Sequence, residues 1–442
     1  MDSITPGPLA NKDAEPSKDV LAYEKATRHL LLYTLGGLNP NIITRAAGTK
    51  IYTADGREIL DWTSGQMSSL IGHGHPEIVE TISYYAEHLD HLFSGFMSPP
   101  VIALAEKLTS VMPKGLEKVM FLSTGGESND AAIRLAKVVT GKWEIVALSS
   151  GWHGMTGAAV SAQFLSGRTG LGPLIPGNHT LPTPNAYRSP FRNPDGSYDW
   201  ETELDYEPIL SSGGMITLPD GYITAMKKHC RARGMLLIVD EAQTALGRCG
   251  SMFGFQQDPG MVPDILTLSK TLGNGMPLSA VVTSDEIAEL AKEKKFLFTT
   301  THVNDPLPAA VGLKTLEIVL RDGLVERARK SGELLKNGLK KLMDRYACIG
   351  DIRGRGLLLG VEIVKDRRLE GAKGKESNVE VGQVINERLM ENGLSANLRG
   401  SQKFGGIFRI APPITVTEEE IKQGLEIFER VLHETEGTLF LG

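Results

Sequence analysis

Two residues thirty positions apart are the first to suggest chemistry: Asp240, ending the apolar run MLLIVD, and Lys270, ending DILTLSK. A carboxylate at the end of a buried strand is costly unless a cation or donor meets it. A protonated pyridine nitrogen is such a partner, and an acid held there keeps the ring able to accept electrons. Asp at a strand-to-helix turn is also a common helix N-cap, and taken alone that is the stronger reading. Lys270 lies among Leu266, Leu268 and Leu272. Half buried there, its amine should have a lowered pKa and serve as a nucleophile, although most lysines snorkel to the surface.

Two further stretches complete the set. In LSTGGESNDAAIRLAK, Thr124, Gly125 and Gly126 stand between a strand and a helix expected to start near Ser128. N–H groups at a helix start, with the helix dipole, suit a phosphate dianion, while a plain capped turn needs glycines for its geometry alone. In SSGWHGMTG, Trp152 follows another strand and could stack on a pyridine ring or pack in the core; His153 reads as a hydrogen-bonding residue. Each piece is ambiguous alone. Together they put a phosphate cradle, an aromatic lid, a carboxylate and an amine on four strand ends, which points to pyridoxal 5'-phosphate (PLP) held by Lys270 as a Schiff base.

Such a site needs a scaffold that gathers strand ends. Apolar runs at Val119–Leu122, Ile145–Leu148, Met235–Val239, Ile265–Leu268 and Ser279–Val282 read as buried strands, each followed by a polar or Gly-rich loop. They alternate with helical stretches, which predicts an α/β fold with a mostly parallel sheet and ligands at the carboxyl ends of its strands. An amphipathic stretch from Ala309 to Arg345 leads to a second unit with strands at Gly356–Val364 and Phe408–Ile410 and helices at Val379–Glu391 and Glu418–Thr435. Strands at Ile42–Tyr52 and Glu58–Asp61 are expected to join that unit.

The 442 residues suffice for one large and one smaller domain. We divide them into a disordered leader at 1–22, an N-terminal part of the small domain at 23–65, a large domain at 66–320 and a small α+β domain at 321–442. The net charge of −6 offers no basic field for nucleic acid, and no apolar run has membrane-spanning length. The leader lacks an apolar signal core and an Arg-rich transit pattern, so the expected location is cytoplasmic. Three cysteines without a CxxC pair suggest reduced thiols.

The motifs DWTSGQMSSLIGHGHPEIV, LDHLFSGFMS, FLSTGGESNDAAIRLAK, WHGMTGAA, EPILSSGG, VDEAQTALGRCGSMF, LTLSKTLGNGMPL, TTHVNDPLPAAVGL, IGDIRGRGLLLGVEIVKDRR and FRIAPP resemble those of the class III aminotransferases over nearly the whole chain from about Tyr23. Within that family they are most similar to the 2,2-dialkylglycine decarboxylase branch. The resemblance implies the aspartate-aminotransferase fold, with a seven-stranded-type large-domain sheet. It implies PLP on Lys270, Asp240 at the pyridine nitrogen, Gln243 near the ring hydroxyl and Trp152 stacked on the ring. Thr124, Gly125 and Gly126 would hold the phosphate, with Thr301 from a neighbouring subunit. Arg409 would grip a substrate carboxylate, Met155 and Ser212 would shape the substrate pockets, and Gln66 would hold the leaving carboxylate beside the lysine.

The implied reaction is decarboxylating transamination: a 2,2-dialkylglycine such as 2-aminoisobutyrate, with pyruvate, gives a ketone, CO2 and L-alanine. The implied assembly is a homodimer or dimer of dimers with shared active sites. Leu92, Ser94, Thr301, Val303 and Asp305 match the branch's alkali-ion site of hard oxygens, for potassium or sodium. The paired histidines of GHGHP, His73 and His75, read as loop residues and not a metal pair. One departure stands out. The family runs a helix and a core strand before EPILSSGG, whereas here Asp205 and Tyr206 run straight into Glu207. On the order of twenty residues, including one strand, are therefore expected to be missing. The alternatives are a non-decarboxylating ω-aminotransferase and an inactive truncated relative that acts only as a partner.

Overall fold

The computed structural model describes residues 18–31, 38–165, 170–173, 175–181, 183, 185–188, 215–401 and 405–439. Ser212 and the junction at Glu207 lie outside them. A helix, Lys18–His29, begins within the span expected as a leader.

Three of the five expected large-domain strands form where hydrophobic runs place them, to within one residue of each end, in one four-stranded sheet: Lys118–Leu122, Ser279–Thr283 and Ile265–Leu268, in that order, followed by Ile238–Asp240. Ser279–Thr283 runs antiparallel to both neighbours, and Ile238–Asp240 runs parallel to Ile265–Leu268, so three of these four strands share one direction. The strand expected from Met235 begins only at Ile238. Upstream the backbone is engaged elsewhere: Met235 N–H donates to Cys230 O (2.9 Å) and Leu237 N–H to an Asp264 carboxylate oxygen (2.7 Å).

Ile145–Leu148 does not join this sheet. It pairs in parallel with Asn178–Leu181 as a separate two-stranded sheet. A seven-stranded-type sheet short of one strand, as the sequence predicts, stands among the described residues as a four-stranded and a two-stranded piece. A cleft of about 420 Å3 separates them, with Ile145, Val146 and Leu148 on one side and Leu236 and Ile238 on the other.

Helix Gly125–Thr140 packs on the four-stranded sheet through Ala131, Ala132, Leu135 and Val139. It starts three residues before the expected Ser128 because Thr124 and Glu127 form a reciprocal capping box. The expected continuous helix from Ala309 is two helices, Pro306–Arg321 and Leu324–Arg345; Gly323, at φ +61°, makes the break.

Toward the C-terminus, Ile349–Arg355, Leu358–Ile363, Gly405–Ile410 and Asn397–Ser401 form an antiparallel sheet, with the first and last of these unforeseen in the sequence. Ile43–Ala47, Lys50–Thr53 and Glu58–Asp61 form another sheet, joined by Leu394–Ser395 from the C-terminal region. Helices Val379–Glu391 and Glu418–Leu439 flank these sheets. Among the described residues no helix is long and apolar enough to cross a membrane.

Candidate active site

Lys270 opens a tight turn at the carboxyl end of strand Ile265–Leu268. Its φ of +34° is left-handed, a backbone conformation that costs a non-glycine residue energy and persists only when the surroundings impose it. Its amine has no hydrogen-bond or ion-pair partner among the described residues. Burial pushes its pKa down, Asp240's charge opposes this, and Arg409's charge adds to it. Burial that disfavours the charged form makes such an amine more available as a nucleophile.

Asp240 is fixed by three donors. Asn129 Nδ2 (2.9 Å) and His153 Nδ1 (3.0 Å) meet one carboxylate oxygen, and Ala242 N–H (3.0 Å) meets the other. Burial alone would raise its pKa, but the bond to His153 and that ring's charge outweigh it, so the carboxyl stays below its ordinary range. Asn129 is held in turn by Thr267 Oγ1 (2.8 Å) and donates also to His153 O (2.8 Å). His153 and Asn129 thus orient the carboxylate. A polar residue one helical turn past the glycine pair was the only sequence signal for Asn129.

At the start of helix Gly125–Thr140, Glu127 accepts from Ser123 N–H (2.9 Å) and Thr124 N–H (3.1 Å). The N–H groups of Gly125 and Gly126 lie in the first turn, where helices leave donors unpaired. A Cβ on Gly126 would come within 2.9 Å of Thr156 Oγ1, and one on Gly154 within 2.5 Å of Gly126 Cα, so this cradle closes only on glycine. Thr156 Oγ1 and Thr300 Oγ1 are buried hydroxyls without a hydrogen bond. Buried polar groups are rarely left so, and Thr156, missed in the sequence, stands against the glycine pair as an anion ligand would require.

Arg409 is only 8% exposed. Its Nε donates to Asn397 Oδ1 (2.8 Å), as does Nη2, and Asn397 is its cross-strand neighbour. Burial, and then the charge of Arg399, push its pKa down to about 10. Arg399, unnoticed in the sequence, has its guanidinium carbon 5.6 Å from the Trp152 ring centre. Arg399 and Arg409 bring two positive charges close together here. The pocket is built for anionic ligands.

Gln66 is exposed in the turn Ser64–Met67, where Ser64 (φ +48°) and Met67 (φ +62°) are both left-handed, and this turn packs against the one beginning at Lys270. Buried Arg248 braces it, donating from Nη2 to Ser64 Oγ (3.2 Å) and from Nη1 to Pro412 O, while Ser64 Oγ donates to Ala411 O (2.5 Å). The Gln66 turn is therefore tied to the residues that follow Arg409. Gln243 is half buried beside Asp240 in the lining of the cleft, and Met155 is exposed.

Thr301 is exposed, and Leu92 and Ser94 are half buried; Val303 and Asp305 are buried. Both carboxylate oxygens of Asp305 are taken by imidazoles: His91 Nδ1 (2.6 Å) and His302 Nδ1. The group brought together is His91, His302 and Asp305, not a set of hard oxygens, and an alkali ion there would need the imidazoles to release Asp305. His73 pairs with Asp61 (2.8 Å), as a loop residue.

The Lys270 amine without a partner among the described residues, the anionic Asp240, the Trp152 ring beside Arg399 and the glycine–hydroxyl cradle fit PLP. Comparison with known proteins agrees. The family model "Aminotransferase class-III" matches residues 36–432. An uncharacterized aminotransferase of Schizosaccharomyces pombe is 49% identical over 431 residues, covering 93% of this chain and 95% of its own. That alignment is about twenty positions longer than the share of this chain it takes in. A diaminobutyrate–2-oxoglutarate aminotransferase of Rhizobium meliloti is 32% identical, covering 87% of this chain and 86% of its own. Among solved structures, an ω-transaminase of Pseudomonas jessenii in complex with PMP superimposes with a TM-score of 0.86 at 29% identity, covering 95% of this chain and 99% of its own.

Proposed function

The chain belongs to the class III aminotransferase family, and from that premise we propose that it catalyses decarboxylating transamination of a 2,2-dialkylglycine, such as 2-aminoisobutyrate, with pyruvate. The products are a ketone, CO2 and L-alanine. PLP, when bound, supplies the electron sink that makes a bond at the substrate's α-carbon labile. Lys270 and the residues around Asp240 and Thr124 would hold it.

The chain's own groups divide the rest of the work. His153 holds the Asp240 pKa down and Asn129 orients the carboxylate, which would then keep the pyridine nitrogen of a bound cofactor protonated. Arg409, steadied by Asn397, binds a carboxylate through its remaining N–H groups. Lys270 Nζ is the amine that holds and returns a proton beside the reacting carbon. The observation that carries decarboxylation is Gln66, an amide on a strained, Arg248-braced turn beside Lys270. A second carboxylate-binding group there orients a C–C bond for cleavage, which simple amino transfer does not need.

Amino transfer without CO2 loss is the second reading, favoured by the similarity to ω-transaminases. A homodimer that shares its active sites belongs to the proposal. Exposed Phe93, Phe96 and Met97 support it, because such a cluster needs a partner. In that dimer Thr301 would help hold the phosphate of the neighbouring subunit's cofactor. Met155 would border the substrate, as would Ser212, which lies outside the described residues. An alkali ion at Leu92, Ser94, Thr301, Val303 and Asp305 would belong to this reading only where His91 and His302 release Asp305. Incubation of the PLP-loaded protein with 2-aminoisobutyrate and pyruvate decides the matter. Equal yields of acetone, CO2 and alanine are expected; alanine formed from other amines, with no CO2 from 2-aminoisobutyrate, would leave only the second reading.

A further inference from the structure

Three of the four residues in the turn Ser64–Met67 have left-handed backbones: Ser64 (φ +48°), Gly65 (φ +63°) and Met67 (φ +62°). Only Gly65 takes such a conformation without cost, so the turn persists because its surroundings impose it. One constraint is a buried carboxylate. Asp61, 1% exposed, ends strand Glu58–Asp61. Its Oδ1 accepts from Thr63 N–H (2.8 Å), and its Oδ2 accepts from Gly65 N–H (2.9 Å) and meets His73 Nε2 (2.8 Å). Burial alone would raise its pKa, but the bonds from His73, Thr63 and Gly65 outweigh it, so the carboxyl stays below its ordinary range.

The other constraint is a buried guanidinium. Among the described residues Arg248 is fully buried and forms no ion pair, and its Nε has no hydrogen-bond partner. Such a group is costly, and packing alone does not require it. What it supplies is a rigid fork across three segments: Ser64 Oγ (3.2 Å), Leu357 O (3.4 Å) and Pro412 O. Ala411 N–H donates in addition to Trp62 O (2.8 Å), so the Gln66 turn and the residues after Arg409 are bound at several points. Downstream, Ile71 N–H donates to Asn274 Oδ1 (2.9 Å) and Asn274 Nδ2 to Gly72 O (3.3 Å). Asn274 ends the turn that begins at Lys270.

We propose that Asp61 and Arg248 are positioning residues that set which bond is broken: together they clamp the Gln66 turn in register with Arg409 and Lys270. The inference rests on the reading of Gln66 as the partner of the leaving carboxylate. With the turn clamped, the amide holds the carboxylate that departs as CO2. With the turn loosened, that carboxylate is left to Arg409, the placement that simple amino transfer needs. Neither clamp residue touches substrate, and both act through the backbone between them. A displacement of the amide by about 1 Å is enough to slow the step on the order of a hundredfold.

The test uses PLP-loaded Arg248→Lys and Asp61→Asn, with Ser64→Ala as a milder variant should the buried changes fail to fold; it removes the hydroxyl through which Arg248 holds the turn. CO2 release from 2-aminoisobutyrate is compared with amino transfer from L-alanine, and hydrogen exchange of residues 61–72 is followed by mass spectrometry. The rate of CO2 release should fall at least about tenfold more than that of amino transfer, in kcat and with KM for 2-aminoisobutyrate kept within about threefold. Exchange in residues 61–72 should quicken by about tenfold, the worth of one lost hydrogen bond, while helix Gly125–Thr140 exchanges as before. Unchanged exchange in every folded variant overturns the clamp, whatever the activities. Faster exchange with equal losses in both reactions overturns its part in choosing the bond. A parent protein that releases no CO2 refutes the decarboxylating reading and this choice with it, and the exchange still decides whether Asp61 and Arg248 hold the turn.

Discussion

Replacing Arg409 by methionine (Arg409→Met) isolates the carboxylate grip. Two of its N–H groups are spent on Asn397 Oδ1, through Nε at 2.8 Å and through Nη2, which leaves three for a ligand. A bidentate carboxylate uses two of them, in a site where the guanidinium is 8% exposed and water competes little. At about 1.5–3 kcal/mol for each of the two charge-assisted bonds, the loss is roughly 3–6 kcal/mol. At 1.36 kcal/mol per tenfold this is on the order of 10^2 to 10^4 in kcat/KM. Methionine retains much of the buried stem, so packing changes little. The assay compares 2-aminoisobutyrate and L-alanine with isopropylamine, each as donor with a common acceptor. Carboxylate donors should lose the full factor and the amine less than about threefold. Equal losses for all donors, or a loss below about tenfold for 2-aminoisobutyrate, would refute the assignment of Arg409 as the carboxylate's partner.

Two other expectations bear on the cofactor seat and the sheet beneath it. Thr156→Val removes a buried hydroxyl that has no partner, so the cofactor-free protein should melt no lower than the parent, while its PLP dissociation constant rises by about tenfold, read by absorbance titration. Glu241 accepts from Gly254 N–H (2.7 Å) and Phe255 N–H (2.7 Å), yet burial pushes its carboxyl up to about 7. The folded state therefore holds this proton more tightly than the unfolded chain, so stability is greatest below the ordinary glutamate range and declines as pH rises to about 7. Urea midpoints from pH 5 to 7 should show that decline, with a flatter slope in Glu241→Gln; parallel slopes would remove Glu241 as its source.

The residues that end apolar runs were the easiest to read. Asp240, Lys270 and Thr124 each stand where burial of the preceding strand leaves the side chain one place to go. The groups that tune them were hidden because their partners are distant in sequence. Arg248 joins Ser64, Leu357 and Pro412, spans of more than a hundred residues that no local pattern encodes. Asn397 and Arg399 occupy a strand, NLRGS, with little apolar alternation; it forms because Gly405–Ile410 lies alongside to pair with it. The division of the sheet was foreshadowed by the abrupt passage from Tyr206 to Glu207, but only the paired strands reveal where the break falls.

That break also bears on how the chain behaves in a crowd. Unpaired edges of apolar strands commonly template assembly, because every strand that docks presents a fresh edge to the next. Here the two edges face each other under common helices, so neither is turned toward a second chain. A sheet broken in this way should not seed a fibre.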